Sequence, residues 1–315
     1  MKTMMIRIHK ILCTVICICF FSSCIQEDLP LCPPDLRIQF TYDNKDDISL
    51  FQLNAVKQAV LFVFNEQDSL VVSRTMNLQY NKYIATGLHL DSAKYRFVVW
   101  AFNPDTLYSI DPAEPQPGLN KADFRFLINR PSGGVFLSDD ADVLPPCLFG
   151  TDTATIQGIA NEQIKIPLEL NKNRLKITVT GLQPTDEKYD FTIEDDKGKY
   201  TFDNGFERTN PFFYKKIAVP FTTVKSGGKD VSYLEAILDV LKLNETGAMN
   251  LKITSGKGIT IYDEDLIALI KNNIIDAVDF KTTHYYDIVI DLSGEAVIVT
   301  VNGWTNQNET VELSD

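Results

Sequence analysis

The chain has 315 residues, 42 acidic side chains against 30 basic ones, and a formal net charge of −12. A surface this acidic repels the phosphate backbone of nucleic acids and the headgroups of anionic lipids, which excludes nucleic-acid binding and any membrane contact made through basic side chains. The length accommodates two domains, each with its own core.

The first element is a leader. Lys2, Arg7 and Lys10 give a basic start, Ile11 to Phe21 runs ILCTVICICFF without a charge, and Ser22-Ser23 precede Cys24. A basic region, a short apolar run and a small-residue cleavage site describe a secretory signal peptide. The apolar run is shorter than the roughly 20 residues needed to cross a bilayer core about 30 Å thick. Phe21-Ser22-Ser23-Cys24 resembles a lipobox, with Phe21 standing where Leu is usual, and the A-x-A pattern of ordinary cleavage is absent. Residues 1–23 are therefore expected to be removed and Cys24 to carry lipid that holds the exported chain to a bacterial membrane. Each buried CH₂ contributes about 0.8 kcal/mol, so firm anchorage takes more than one acyl chain, palmitate or a relative. The leader holds three basic and no acidic residues, so its removal takes the charge from −12 to −15.

Of six cysteines, Cys24, Cys32 and Cys147 remain in the mature chain. With Cys24 acylated, Cys32 and Cys147 either form a disulfide or stay as two thiols, and the sequence leaves both open. A bridge would close a loop of 115 residues and stabilise by about 5 kcal/mol in the chain-entropy account.

Residues 24–35 are polar and rich in proline and read as a tether. Leu36 to Tyr42 alternates apolar and polar, the pattern of a half-buried strand. Gln58 to Phe64 (QAVLFVF) and Leu70 to Val72 flank the turn Asn65-Glu66-Gln67-Asp68 and predict a hairpin. Tyr95 to Phe102 (YRFVVWAF) is a strong strand, with Trp100 expected in the core. Pro112, Pro115, Pro117, Gly118 and Pro131-Ser132-Gly133-Gly134 punctuate the stretch after Phe102, which reads as long loops. Residues 150–163 carry no hydrophobic run and are read as the junction between an N-terminal domain (36–160) and a C-terminal one (161–315).

Beyond that junction, Ile164 to Leu170 and Leu175 to Val179 alternate again. Asp190 to Ile193, Tyr200 to Phe202 and Ile217 to Val219 are shorter strand candidates. Tyr233 to Leu243 fits a strand or a helix. Leu251 to Thr254 and Ile259 to Ile261 predict a hairpin about Ser255-Gly256-Lys257-Gly258. Asp263 to Ile274 reads as a helix with acids in its first turn, where the helix dipole favours them. Tyr285 to Leu292 and Ala296 to Val301 close the pattern as strands, followed by Trp304. Many short strands and few helices predict a mainly β chain of two β-sandwiches in series.

Catalytic constellations are not found. His89 and His284 are the histidines of the mature chain, and neither Cys-x-x-Cys nor Gly-x-Ser-x-Gly occurs, so neither a local zinc site nor a hydrolase elbow is expected. Asp139-Asp140-Ala141-Asp142 could take Ca²⁺ weakly but reads better as a solvated loop. Glu194-Asp195-Asp196-Lys197-Gly198-Lys199 reads as a hairpin turn. The chain is not expected to be an enzyme, and no cofactor or metal is expected.

Taken in order, Cys24-Ile25-Gln26-Glu27-Asp28-Leu29-Pro30-Leu31-Cys32, Leu36 to Tyr42, Val60 to Asn65, Tyr95 to Ala101, Leu148-Phe149-Gly150, Ile164 to Leu170, Asn173 to Ile177 and Val297 to Trp304 resemble the FimB/Mfa2 family, the anchor subunits of type V fimbriae of Bacteroidetes. Asn65 departs from the aspartate expected there. The resemblance implies two tandem transthyretin-like β-sandwich domains, pilin or accessory subunits as partners, a surface-exposed lipid anchor in the outer membrane, and a role in holding a fimbria to that membrane and ending its assembly. It also implies assembly by strand exchange, in which stalk subunits lose an N-terminal segment and accept a donor strand. No isolated arginine marks such a cut between the tether and the first strand here. The last residues, Val301 to Asp315, are expected either to contact a neighbouring pilin or to close this chain's own sheet. The alternative function is a surface glycan-binding lipoprotein partnering an outer-membrane importer.

Overall fold

The computed structural model describes residues 36–41, 56–78, 83–85, 87–103, 107–138, 144–158, 162–273, 279–305 and 311–312. The leader, Cys24, the tether, Cys32 and the acidic loop at Asp139–Asp142 lie outside the described residues.

In chain order the first strands are β1 (Arg37–Thr41), β2 (Gln58–Phe64), β3 (Leu70–Asn77), β4 (Tyr83–Ala85), β5 (Ala93–Phe102), β6 (Tyr108–Asp111), β7 (Arg125–Ile128), β8 (Val135–Leu137), β9 (Leu148–Ile156) and β10 (Gln163–Leu170). Seven of them form one sheet in the order β3-β2-β5-β9-β10-β1-β4. β2 and β5 are interior strands of this sheet, and they read as dense apolar runs because both of their faces are covered. Ala59, Leu61, Val63, Phe97, Val99 and Ala101 face one core with Ile38, Ile164, Ile166 and Leu168. Phe62, Phe64, Val98 and Trp100 face a second. Trp100 is fully buried, as expected, and stacks on Phe126 with centroids 4.0 Å apart.

The β2–β3 hairpin turns at Asn65, as the sequence indicates. Its Oδ1 accepts from the amides of Gln67 (3.0 Å) and Ser69 (2.9 Å). A side-chain carbonyl taking the turn's own donors explains why asparagine serves there as well as aspartate.

The later strands are β11 (Lys172–Thr180), β12 (Tyr189–Asp195), β13 (Lys199–Thr201), β14 (Phe206–Glu207), β15 (Phe212–Val219), β16 (Thr222–Ser226), β17 (Lys229–Leu241), β18 (Asn250–Ser255), β19 (Thr260–Asp265), β20 (Tyr285–Asp291), β21 (Ala296–Val301), β22 (Trp304–Thr305) and β23 (Val311–Glu312), with helix α1 (Leu266–Asn272) after β19. A sheet ordered β16-β17-β11-β20-β21-β22, with β23 also on β21, packs against one ordered β19-β18-β12-β15-β8. A fourth sheet, β14-β13-β7-β6, covers the second face of the first.

The two halves interlock. β8, from the first half, lies parallel to β15 in the second half's sheet. The β13–β14 hairpin, from the second half, pairs with β7. The sheets also do not divide at residues 160 and 161, because β10 hydrogen-bonds to both β9 and β1 and so belongs to the first sheet.

Four local expectations need correction. Residues 150–156 are strand, not junction: Thr151, Thr153 and Thr155 supply β-branched positions while β5 supplies the pairing along the whole of β9. The stretch after Phe102 holds β6, β7 and β8 in addition to loops. Helix α1 starts at Leu266, so Asp263 and Glu264 are the end of a strand and Asp265 is the cap, its Oδ1 accepting from the Ala268 amide at 2.8 Å. Residues 194–199 are not a hairpin, since β12 pairs with β15 and β18 while β13 pairs with β7 and β14. They carry the chain from one sheet to another. The strand-or-helix ambiguity at 233–243 resolves as strand β17, whose Leu234, Ala236, Leu238 and Val240 point inward.

Candidate functional site

The features of this fold that can act on a partner are its sheet edges, and buried polar groups hold its strands together. β1 is the first described segment after the tether, and it is built into the sheet on both sides. Its five residues pair in parallel with Gln163–Pro167 of β10, and Arg37, Ile38 and Gln39 pair antiparallel with Ala85, Ile84 and Tyr83 of β4. Arg37 donates its amide to the Glu162 carbonyl at 2.8 Å, which fixes the register at its start. Ile38 is fully buried and Leu36 nearly so. A parallel neighbour cannot arrive through a tight turn and must come from a distant part of the chain. Removing β1 would expose the β10 edge and the core lined by Ile164, Ile166 and Leu168.

The C-terminal edge is closed by the chain itself. Val301 and Thr300 pair with Trp304 and Thr305, and Val297 and Ala296 pair with Val311 and Glu312. The turn between β21 and β22 is Asn302-Gly303, with φ of 52° and 81°, the backbone of a two-residue hairpin whose twist suits antiparallel strands. Asn302 anchors it by accepting from the Asp287 amide at 2.8 Å. Of the two expectations for Val301 to Asp315, the described residues show the closing of the sheet. At the opposite edge β16 is exposed along its length. Lys225 and Lys229 flank its Gly227-Gly228 turn, and charge at an exposed edge discourages unwanted pairing.

At the end of β12, in the sheet β19-β18-β12-β15-β8, sits a buried charge pair that the sequence pattern does not announce. Asp195 and Lys197 are both fully buried. Lys197 donates to Asp195 Oδ1 through Nζ at 2.6 Å and through its own amide at 3.0 Å. Tyr214 donates its hydroxyl to Asp195 Oδ2 at 3.4 Å and accepts from the Leu241 amide at 3.2 Å. The pair sits where the chain leaves β12 for β13 and ties the crossing to β15 and β17. Burial, and then the Asp195 charge, pushes the Tyr214 hydroxyl well above the ordinary tyrosine range. A second cluster fixes β11 to β17: Asp239 accepts from Lys172 at 2.7 Å and from Arg174 through Nε (2.8 Å) and Nη2 (3.0 Å).

Of the cysteines singled out, Cys24 and Cys32 lie outside the described residues. Cys147 is fully buried beside β9, its thiol 3.8 Å from the Asn171 carbonyl that accepts from it. Burial pushes this thiol from 9.0 up to about 12. The thiolate is the reactive form, so at neutral pH such a thiol is inert. We expect iodoacetamide to leave Cys147 unmodified in the folded protein and to alkylate it after denaturation in reductant. Alkylation of the native protein would contradict the packing. A group raised on folding stabilises below its unfolded value and loses that stability as pH rises through the folded one. Cys147 therefore contributes a loss of stability between about pH 9 and 12.

Among the described residues no group of three His, Cys, Asp or Glu side chains is placed to hold a metal ion. No described helix is long and apolar enough to cross a membrane.

Comparison with known proteins places this architecture. The sequence model of the fimbrillin-A associated anchor proteins Mfa1 and Mfa2 matches residues 29–310. A proposed adhesin of Bacteroides thetaiotaomicron shares the fold with a TM-score of 0.70 at 18% identity, over 88% of this chain and 99% of that one. The fimbrial anchor protein Mfa2 of Porphyromonas gingivalis superposes with a TM-score of 0.64 at 19% identity, over 87% and 99%. A structure from Bacteroides thetaiotaomicron of proposed polysaccharide-binding proteins gives 0.66 at 17%, over 88% and 98%. No curated protein sequence matches the chain.

Proposed function

The chain belongs to the family of fimbrillin-A associated anchor proteins Mfa1 and Mfa2, and from that membership we propose that it is the subunit that holds a fimbria to the outer membrane and ends its assembly. Lipid on Cys24 is the membrane link. The net charge of −15 on the mature chain is repelled by anionic headgroups, which favours the lipid over side-chain charge as the membrane contact, and the tether spaces the folded body from the lipid. The partners are pilin or accessory subunits of the fimbria.

The observation that carries this reading is the seat of β1. Assembly by strand addition needs an open sheet edge with a groove beneath it: main-chain hydrogen bonds give affinity and alternate side chains fill pockets. A subunit whose first strand is paired on both sides, with Ile38 buried beneath, offers no such groove at that place. It can donate to a neighbour or be gripped by one, but it does not accept a donor strand there, which suits the end of a polymer better than its middle.

Two experiments test the proposal. Purification from outer membranes through the lipidated protein should recover pilin, and recovery of importer components without pilin would instead support a glycan-importer partner. Truncation after Trp304 separates the two roles of the terminal strand. If β23 contacts pilin, capture falls at least about tenfold, an interaction loss of roughly 1.4 kcal/mol. If β23 serves its own sheet alone, capture is unchanged.

A further inference from the structure

A chain tied to a membrane at one end and to a fibre at the other is pulled. In the proposed role the pull from the lipid on Cys24 reaches the folded body at Arg37, where the tether gives way to β1. β1 hands it to β10, with which all five of its residues pair in parallel, from Arg37 opposite Gln163 to Thr41 opposite Pro167. β10 hands it on beyond that stretch. It pairs with β9 at Leu168 to Leu170, and after Asn171 the chain begins β11 in a different sheet.

That exit is firmly fastened. Asn171 is fully buried. Its amide donates to the Cys147 carbonyl at 2.8 Å, and its carbonyl accepts from the Lys242 amide at 3.2 Å. Its side chain exchanges hydrogen bonds with Asn204 of the β13–β14 hairpin, at 2.6 and 3.1 Å. Lys242, directly after β17, also donates to Glu169 at 2.9 Å. Beyond this point the halves share one apolar core. Phe202 from the β13–β14 hairpin meets Phe62 at 4.8 Å between centroids, and Phe136 of β8 stacks on Tyr214 of β15 at 5.5 Å.

We infer that the parallel β1–β10 pair is a joint that bears tension in shear. The pull enters at Arg37 and leaves beyond Leu170, so the two loaded ends lie at opposite ends of the paired stretch. The hydrogen bonds between the strands are then strained together and have to yield together. Had β1 and β10 been antiparallel, both loaded ends would lie at the same end of the pair. The bonds would then open one after another, each under the full load. Slippage is opposed as well. A shift of one residue turns Leu36 and Ile38, both buried, to the opposite face of the sheet. On that opposite face Gln163 Nε2 donates to Gln39 Oε1 at 3.2 Å. The source of the tension is the anchor role proposed above, and the joint rests on that reading. Its geometry rests on strand pairing alone, so a test without pilin or membrane separates the two.

The test is single-molecule pulling on the mature chain. A handle on Cys24 takes the place of the lipid, and Cys32→Ser removes the other accessible candidate thiol, Cys147 being fully buried. The second handle goes on Glu245→Cys or on Gln157→Cys, both at exposed positions. Glu245 follows Lys242, whose amide bonds Asn171, and so lies on the side where β10 ends. Gln157 lies where β10 begins, its amide donating to the Glu162 carboxylate at 3.1 Å. The first arrangement shears β1 from β10, and the second peels it away. We expect the Glu245 arrangement to rupture at a force at least about twice that of the Gln157 arrangement at the same loading rate, because forced unfolding is governed by the unfolding barrier. In the Gln157 arrangement the first event should free the chain from Arg37 to β2, about 20 residues or roughly 70 Å of extended length. Equal forces in the two arrangements overturn the joint. So does a body that yields elsewhere in the Glu245 arrangement at or below the Gln157 force. A body that yields elsewhere only above that force supports the joint, which has then outlasted the rest. Equal forces leave the anchor role standing, and failure to capture pilin leaves the shear geometry standing.

Discussion

Replacing Lys197 with methionine will destabilise the mature protein by about 3–5 kcal/mol, the largest effect expected from a single side chain away from the aromatic core. The substitution keeps most of the apolar stem and removes the charge, leaving the Asp195 carboxylate with no exposure and no cation beside it. Its remaining donors are the Lys197 amide at 3.0 Å and the Tyr214 hydroxyl at 3.4 Å, the second of them long. Two donors compensate poorly for a desolvated charge. The double variant Asp195→Val/Lys197→Met should recover part of that loss, because an apolar pair removes both desolvation costs together. Recovery will be incomplete, since the Tyr214 hydroxyl then loses its acceptor. Urea unfolding of the wild type, the single variant and the double variant measures the coupling. A Lys197→Met variant as stable as wild type would show that the pair is not a buried tie between the sheets.

The second large effect concerns β1. Ile38→Asp places a carboxylate where Ile38 has no exposure, between Ile84 and Ile164 in the register. The expected cost is about 3–5 kcal/mol, the scale of an uncompensated buried charge. The local consequence is more informative than the total. Strand β1 should leave the sheet, and the amides of β10 that face it should exchange with solvent faster, while β9 on the other side of β10 keeps its protection. Hydrogen exchange over residues 163–170 reads this directly. Unchanged protection there would mean that β1 is an ornament on the edge and not part of the sheet, and with it the filled groove would be lost as a reason for a terminal role.

The sequence was informative wherever one strand carried its own pattern. β2 and β5 are buried on two faces and read as continuous apolar runs. β10, β11, β20 and β21 alternate cleanly because one side meets the core and the other meets water or a polar neighbour. It was silent where the pattern is held by partners. β9 is polar along Thr151 to Thr155 and becomes a strand there because β5 pairs with it along its whole length, while β10 pairs with it only at Leu148 to Gly150. In β17 the exposed Ile237 breaks the alternation that Leu234, Ala236, Leu238 and Val240 would otherwise show. Asp195 and Lys197 were hidden for the opposite reason. A stretch of acids and lysines around glycine has the composition of a solvated turn, and nothing local reveals that the chain is crossing between sheets there. Charges lie fully buried only when paired, and the pairing partner here is two residues away, too near to stand out as a long-range contact.

In the proposed role the chain ties a fimbria to the membrane through Cys24. The location of fimbriae in cells that make the chain with Cys24→Ser measures this tie. A lipid-anchored end subunit gives fimbriae that assemble but are recovered in the medium, together with the unlipidated chain, while cells with the natural chain keep theirs. Fimbriae that remain on the cells at wild-type levels, with the Cys24→Ser chain free in the medium, would contradict the proposed tie.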